Sequence, residues 1–294
     1  MKAKILITGA TGTTGQYTIE NLLKKGVKVR AMVRTIDERS KKLKDLGAEV
    51  IQGDFMNLDS LRNALKGIKR AYLCYPFKEN LPKGAGYFAK AAKENDVELT
   101  VAMSQMNVHE HTSSPATQNH LITEDILDWA NIGAVHIRPG LFASNYRNMA
   151  GPTVKAEGKF YAPNPNAKFT IIHPKDISNV VSEILVSNNL KKHIGKKYLL
   201  AGDKTYSGKE VANTIEKVIN QSVEYIPIPV EHWIDAMKKD PYVNDFLAKH
   251  LEEFSNDIKS GKFNITNDVV KSITGHDPRR FSEYIEEFRH LFTS

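Results

Sequence analysis

Three glycines in the run Ile5-Leu6-Ile7-Thr8-Gly9-Ala10-Thr11-Gly12-Thr13-Thr14-Gly15 are the first sign of chemistry in this chain. They end an apolar stretch and open an amphipathic one. A glycine-rich turn between strand and helix has three uses: a tight turn, close approach of bare amides to a pyrophosphate, and close helix–strand packing. The amides and the helix dipole both favour an anion. The spacing is G-x-x-G-x-x-G, one residue longer than the G-x-G-x-x-G form. Gly9, Ala10, Thr11, Gly12, Thr13, Thr14 and Gly15 are therefore the expected cradle for a dinucleotide. An ordinary turn that happens to hold three glycines is the competing reading, and the alternating strands and helices that follow weigh against it.

The end of the second strand in such a fold meets the adenosine ribose, about 20 residues beyond the turn. An acid there accepts from the 2′-hydroxyl and repels a 2′-phosphate. This chain has Arg34, with Arg39, Lys41 and Lys42 near it and Asp37 better suited to cap a helix. A guanidinium pairs with a 2′-phosphate and stacks on adenine. NADP(H) is thus expected ahead of NAD(H), against the alternative that Arg34 is a plain surface arginine. Asp54 ends the third strand beside Phe55. It is placed to accept from the adenine amino group with Phe55 packed nearby, or to cap a turn.

What is missing also constrains the chemistry. None of the 11 tyrosines has lysine four residues on, so the Tyr-x-x-x-Lys pair of ordinary short-chain dehydrogenases is absent. There is no H-E-x-x-H, P-loop or nucleophile elbow. His109-Glu110-His111 reads as surface rather than as a metal site, and no metal is expected. The single Cys74 lies in an apolar run and reads as a small hydrophobe.

These residues need a scaffold. Short apolar runs at 4–8, 27–33, 49–52, 69–74, 97–103 and 134–137 alternate with amphipathic stretches at 13–25, 37–46, 58–66, 83–94 and 117–130. Near-continuous apolar strands joined by helices predict a parallel sheet covered on both faces. The fold class is α/β: a Rossmann-like, doubly wound parallel sheet with a smaller mixed, mostly helical C-terminal lobe. Residues 1–150 are expected to form the dinucleotide-binding domain, with a helix at 175–187 packing back on it. Residues 151–294 form the smaller lobe. The Gly-, Pro- and Asn-rich stretch 151–166 reads as a loop over the mouth of the sheet, strands are expected at 168–172, 197–200 and 223–226, and a helix at 207–220. Asp176, ahead of an apolar helical stripe, is expected to join the returning helix to the sheet domain.

Composition agrees with a soluble globular protein: 41% of residues are hydrophobic and 26% charged. The net charge of +7 comes from lysines scattered beside acids, so no nucleic-acid partner is expected. No stretch approaches a membrane span. Met1-Lys2-Ala3-Lys4 runs straight into a strand, so no leader is expected and the location is expected to be cytoplasmic. The oligomeric state is left open.

The chain resembles the NmrA-like group of atypical short-chain dehydrogenase/reductases, in particular its triphenylmethane reductase, quinone reductase and azoreductase-like members. The resemblance rests on Thr8–Gly15, Arg34, Gly53-Asp54, His120-Leu121-Ile122-Thr123-Glu124, Ile137–Asn145, Pro174–Ile177 and Ser207–Ala212, and it covers nearly the whole chain. It implies that the tyrosine–lysine pair is dispensable. His120, on the helix that would have carried the pair, is then the implied proton donor or shuttle, with Glu124 one turn on to raise its pKa and orient its ring; a histidine that packs or caps the helix is the alternative. Ser104, at the end of the fifth strand, is implied to bind a substrate oxygen. Pro76 and Phe77 are implied to border the nicotinamide, and Phe142, Asn145, Tyr146, Phe160 and Tyr161 to line the substrate side. The activity so implied is reduction of an electron-poor, aromatic small-molecule acceptor such as a quinone, azo compound or dye, at the expense of NAD(P)H. A non-catalytic dinucleotide sensor with a protein partner is the second reading. A sugar-nucleotide epimerase or dehydratase is the third, weakened by the missing pair.

Overall fold

The computed structural model describes residues 5–293. Lys4, expected at the start of the first strand, lies outside them. Among the described residues the strands are β1 (Ile5–Ile7), β2 (Val29–Val33), β3 (Glu49–Gln52), β4 (Arg70–Leu73), β5 (Leu99–Met103), β6 (Ala134–Pro139), β7 (Leu141–Phe142), β8 (Lys159–Ala162), β9 (Phe169–Ile172), β10 (Lys197–Leu200), β11 (Thr205–Tyr206) and β12 (Glu224–Pro227). Seven of them form one sheet in the order β10-β6-β5-β4-β1-β2-β3. Every pair from β3 across to β6 is parallel. At the β6 edge, His136 N–H donates to the Lys196 carbonyl (2.9 Å) and Gly140 N–H to that of Leu200 (3.0 Å). Both strands advance together along these bonds, so β10 is parallel as well. Every residue of β1 is buried, and so is nearly all of β2, β4, β5 and β6. This is the apolar run that a sheet covered on both faces demands. The order reverses between β1 and β4, and ligands of such sheets bind at the carboxyl ends of the strands flanking that reversal.

Local sequence sets the helix starts. Asp37 caps the helix Glu38–Asp45: its Oδ1 accepts from the Arg39 and Ser40 amides (3.0 and 3.2 Å), and the Ser40 hydroxyl accepts from the Asp37 amide (2.9 Å). Asn57 caps Leu58–Leu65 in the same manner.

The chain divides into two compact units. The first comprises residues up to Glu110, Gln118–Arg138 and Ile177–Tyr198. Its core packs Leu6, Met32, Leu61, Leu73, Phe88 and Leu127. The stretch from Ile177 onward belongs to the helix Pro174–Val186, which lies on the first helix of the chain, Thr13–Lys24. There the Ser178 hydroxyl donates to the Thr14 carbonyl (3.0 Å), Asn21 bonds Asn179 (2.8 Å) and Lys25 pairs with Glu183 (2.9 Å).

The second unit comprises His111–Thr117, Pro139–Asp176 and the chain from Leu199 on. It holds two small sheets, β11-β9-β7 and β12-β8, and helices at Gly208–Ile219, Val230–Met237, Asp245–Lys259, Val269–Thr274 and Phe281–Glu287. Residues 151–166, read from composition as a loop, contain the helix Gly151–Glu157 and strand β8. Pro152 is tolerated there because it sits in the first helical turn, and Gly158, at φ +66°, closes the helix in the left-handed region. Phe160 and Ala162 of β8 are buried by parallel pairing with β12.

Asp176 is also placed differently from expectation. Its buried carboxylate accepts from the Arg279 amide (2.7 Å) and from the Arg279 guanidinium. It ties the start of the helix to the C-terminal segment of the second unit, not to the sheet. No helix among the described residues is long and apolar enough to cross a membrane.

Candidate functional site

The glycine turn leaves β1 at the point of reversal. Gly12 N–H donates to the Gly9 carbonyl (2.9 Å), closing the turn. Gly9 has φ +57°, and a Cβ there would lie 2.7 Å from the Cys74 carbonyl oxygen. A Cβ on Gly15 would lie 2.3 Å from the Gly9 carbonyl oxygen. Neither position admits a side chain while the turn keeps its shape. Beneath the turn, the Thr8 hydroxyl donates to the Tyr72 carbonyl (3.0 Å) and accepts from the Cys74 amide (2.9 Å), locking β1 to β4. Thr14 Oγ1 meets the Tyr72 hydroxyl (3.1 Å). Burial pushes the Cys74 thiol up, so it stays protonated and packs. Gln16 Nε2 pins the Thr11 carbonyl (2.8 Å).

The helix that starts at Thr13 has no side-chain cap and no acid in its first turn. By contrast, the helices after β2 and β3 carry Asp37 and Asn57 caps. The uncapped start leaves the Thr13 and Thr14 amides without an intrahelical or side-chain acceptor among the described residues. Gly12 and Thr13 are exposed. A glycine cradle that refuses side chains, ending on uncapped amides, suits a diphosphate.

Arg34 lies one residue past β2 and is exposed. Its carbonyl accepts from Gln52 Nε2 (3.1 Å). Among the described residues no carboxylate comes within ion-pair distance of its guanidinium, whereas Arg39 is held by Asp37 (2.6 Å). Asp54 is exposed, but its Oδ1 accepts from the Met56 amide (2.9 Å), which makes it a turn former with one oxygen committed. Phe55 packs into the core edge-on to Tyr75 (ring centroids 4.7 Å apart, 73°).

Pro76 and Phe77 follow β4, across the reversal from the turn. The Phe77 ring lies 6.0 Å from that of His120, tilted by 43°. Asn119 Nδ2 donates to the Glu79 carbonyl (2.9 Å). The β4 loop and the helix Pro115–Trp129 thus meet, and the fold brings Phe77 and His120 together.

Ser104 and Glu124 are also together, but with partners other than His120. Glu124 is 1% exposed. Its Oε1 accepts from the Ser104 hydroxyl (2.5 Å) and Arg138 Nε (2.8 Å); its Oε2 accepts from Arg138 Nη2 (2.5 Å) and Lys197 Nζ (3.1 Å). The expectation that Glu124 orients the His120 ring gives way to a closed cluster. Burial pushes the Glu124 carboxyl up, but bonds from Arg138 and Ser104, with the His136 charge, hold it at about 2. It is a carboxylate throughout the neutral range and holds no proton to give. Arg138 and Lys197 received no role from the sequence. Arg138 lies within β6, with nothing local in the sequence to mark its partner, and Lys197 carries no local signal.

In the second unit, Phe142 is half-buried and Asn145 exposed. The Tyr161 hydroxyl donates to Glu157 (2.8 Å). Tyr146 and Phe160 are buried with their rings 6.0 Å apart. These two share the wall of an apolar recess of about 380 Å³, solvent-side space included, with Phe169, Trp233 and Phe254. Of the five residues implied to line the substrate side, Tyr146 and Phe160 line this recess. Among the described residues no group of three or more His, Cys, Asp or Glu is placed to hold a metal.

Comparison with known proteins adds a family and three relatives. The model of the NmrA-like family matches residues 1–285. Quinone oxidoreductase 2 of Escherichia coli is 26% identical over 98% of this chain and 98% of its own length. The structure of the NADPH-dependent quinone oxidoreductase of that organism complexed with NADPH matches with a TM-score of 0.84 at 23% identity, covering 97% of this chain and 99% of that one. Triphenylmethane reductase of Citrobacter sp. complexed with NADP(H) gives 0.84 at 22%, over 97% and 99%. NmrA, a negative transcriptional regulator, in complex with NAD gives 0.78 at 15%, over 98% and 95%. At these identities the structural matches establish the fold.

Proposed function

This chain belongs to the NmrA-like family, and we propose that it is a nicotinamide-dependent reductase that uses NADPH ahead of NADH and reduces an electron-poor aromatic acceptor. The observation that carries the reading is the pairing of an uncapped, side-chain-refusing glycine turn with an exposed Arg34 that no acid among the described residues neutralises at the end of β2. Relatives described as an NADPH-dependent quinone oxidoreductase and a triphenylmethane reductase support the acceptor class.

In this reading the Thr13 and Thr14 amides receive the diphosphate, and Arg34 pairs with a 2′-phosphate. Asp54 has one oxygen left for the adenine amino group. Pro76 and Phe77, at the mouth of β4, border the nicotinamide. The bound dinucleotide supplies the hydride. His120, beside Phe77, is the side chain that holds and delivers the proton. Ser104 and Glu124 are positioning residues: with Arg138 and Lys197 they fasten the helix Pro115–Trp129 to the sheet and so fix where His120 stands. An acceptor that is already strongly polarised needs little acid catalysis, so one weak donor suffices and orientation does most of the rest.

The test is to mix the protein with NADPH and a panel of quinones, azo compounds and cationic dyes while following cofactor absorbance, beside a calorimetric titration with oxidised and reduced dinucleotides. Turnover with at least one acceptor is expected. Binding without turnover selects the second reading, a dinucleotide sensor. That reading has one observation of its own: Ile122 (46% exposed) and Trp129 (76% exposed), seven residues apart, share one face of the helix that carries His120. Absence of binding by either dinucleotide removes both.

A further inference from the structure

The amino end of the seven-stranded sheet, opposite the glycine turn, carries a cluster of unpaired positive charge. The turn that leads into β10 reads Leu190-Lys191-Lys192-His193-Ile194-Gly195-Lys196-Lys197. Lys197 is paired with Glu124. Lys191, Lys192 and Lys196 are exposed, and among the described residues no carboxylate comes within ion-pair distance of them. Between them stands Ile194, 40% exposed. The turn is held in place. The Ile194 amide donates to the Leu190 carbonyl (3.0 Å) and the Lys196 amide to that of His193 (3.0 Å). The Gly195 amide donates to the Ala134 carbonyl (2.8 Å), which fixes the turn at the start of β6. The buried His193 ring meets the Tyr198 hydroxyl (3.0 Å). Trp129, 76% exposed, ends the helix that leads into the same strand, five residues before Ala134. Two ordinary uses of lysine do not account for the three. β10 is an edge strand, where charge deters pairing with another chain, but Lys197 within the strand already supplies it. Lys191 and Lys192 lie five and six residues past the helix Pro174–Val186, beyond the reach of its dipole.

We propose that this turn is a peripheral docking surface for an anionic phospholipid bilayer, with Ile194 and Trp129 entering the headgroup region and Lys191, Lys192 and Lys196 facing the lipid phosphates. Ammonium groups are compact point charges that suit a diffuse anionic field, whereas a fixed carboxylate partner is matched better by the arginine fork. Tryptophan favours the membrane–water interface, because its ring is apolar and its N–H is not. Lysine stems lie along apolar surface while their charges stay in water. The contact is with the bilayer surface, since no helix among the described residues is long and apolar enough to cross it. The inference rests on neither reading of the dinucleotide site.

The chain has two tryptophans, and the other, Trp233, is 5% exposed, so a change of emission on mixing reports Trp129. The full chain is mixed with vesicles of phosphatidylcholine and phosphatidylserine, or of phosphatidylcholine alone, and followed by tryptophan emission and co-sedimentation. A blue shift and sedimentation are expected with the phosphatidylserine vesicles, both reversed by high salt, and neither with phosphatidylcholine alone. Each lysine at the surface strengthens binding about fivefold, so Lys191→Gln with Lys192→Gln and Lys196→Gln should weaken it roughly 100-fold. Lys209→Gln with Lys217→Gln and Lys239→Gln, exposed lysines elsewhere, should change it little. This control separates a docking surface from the overall positive charge. Should the first triple variant not fold, Lys192→Glu alone should weaken binding at least about fivefold, and Ile194→Asp should weaken it as well. No binding, binding without a blue shift, equal binding to both vesicles or equal loss in the two triple variants overturns the proposal. So does a blue shift with polyglutamate and none with vesicles, which would assign the surface to an acidic protein.

Discussion

Replacing Glu124 by glutamine removes the charge that Ser104, Arg138 and Lys197 share and keeps the side chain's size. The carboxyl is held at about 2 against an ordinary value of 4.5, because bonds from Arg138 and Ser104 outweigh the upward push of burial. A depression of that size corresponds to ~3 kcal/mol of preference for the charged form in the fold. Removing one member of a buried ion pair costs about 3–5 kcal/mol, since it strands the partner; Arg138 and Lys197 are partly exposed, so the lower end applies. The expected cost of Glu124→Gln is therefore ~3 kcal/mol at neutral pH. The folded value lies below the unfolded one, so the contribution is full above the ordinary carboxylate range and is lost as pH falls from 4.5 through about 2. Urea unfolding followed by circular dichroism, at neutral pH and at steps down to about pH 3, measures both features. The gap between wild type and variant should be wide at neutral pH and narrow in acid. A neutral-pH gap under ~1 kcal/mol, or one that stays constant into acid, refutes the argument that this cluster fastens the His120 helix through charge.

Three further outcomes follow from the first unit. Arg34→Ala should weaken NADPH by roughly 1–3 kcal/mol while leaving NADH nearly unchanged, as read by calorimetric titration; equal losses would remove the case for a 2′-phosphate. Gly15→Ala drives a Cβ to 2.3 Å from the Gly9 carbonyl oxygen, so the turn must open: a stability loss of about 1–3 kcal/mol and a clear rise in dinucleotide Kd are expected, and an unaltered Kd would show that the turn holds no diphosphate. His120→Gln should lower turnover at unchanged dinucleotide affinity, and unchanged turnover would assign His120 to packing against Phe77.

The main sheet was legible because each of its elements is written locally. Strand β3 spans residues 49–52 as expected, and β10 spans 197–200. The others differ by one or two residues at their ends, as does the helix Thr13–Lys24, expected over 13–25. Asp37 is the helix cap that its position suggested. Strands β7 and β11, two residues each, left no pattern, and β8 was hidden in a Gly-, Pro- and Asn-rich stretch. What makes Lys159–Ala162 a strand is β12, more than sixty residues later. At the site, the glycine turn and Arg34 could be read from residue type and spacing. The environment of Glu124 could not, because its partners come from three distant segments.

Residue type and local spacing already carried the parallel sheet, its glycine turn and an arginine after β2, because apolar runs, caps and turn glycines act on near neighbours in the chain. Chain folding in three dimensions assigned the rest. It closed Glu124 into a cluster with Ser104, Arg138 and Lys197, stood His120 beside Phe77, and buried Tyr146 against Phe160 and Phe281. Burial and ion pairing depend on which distant groups arrive at the same place, and no short stretch of sequence records that.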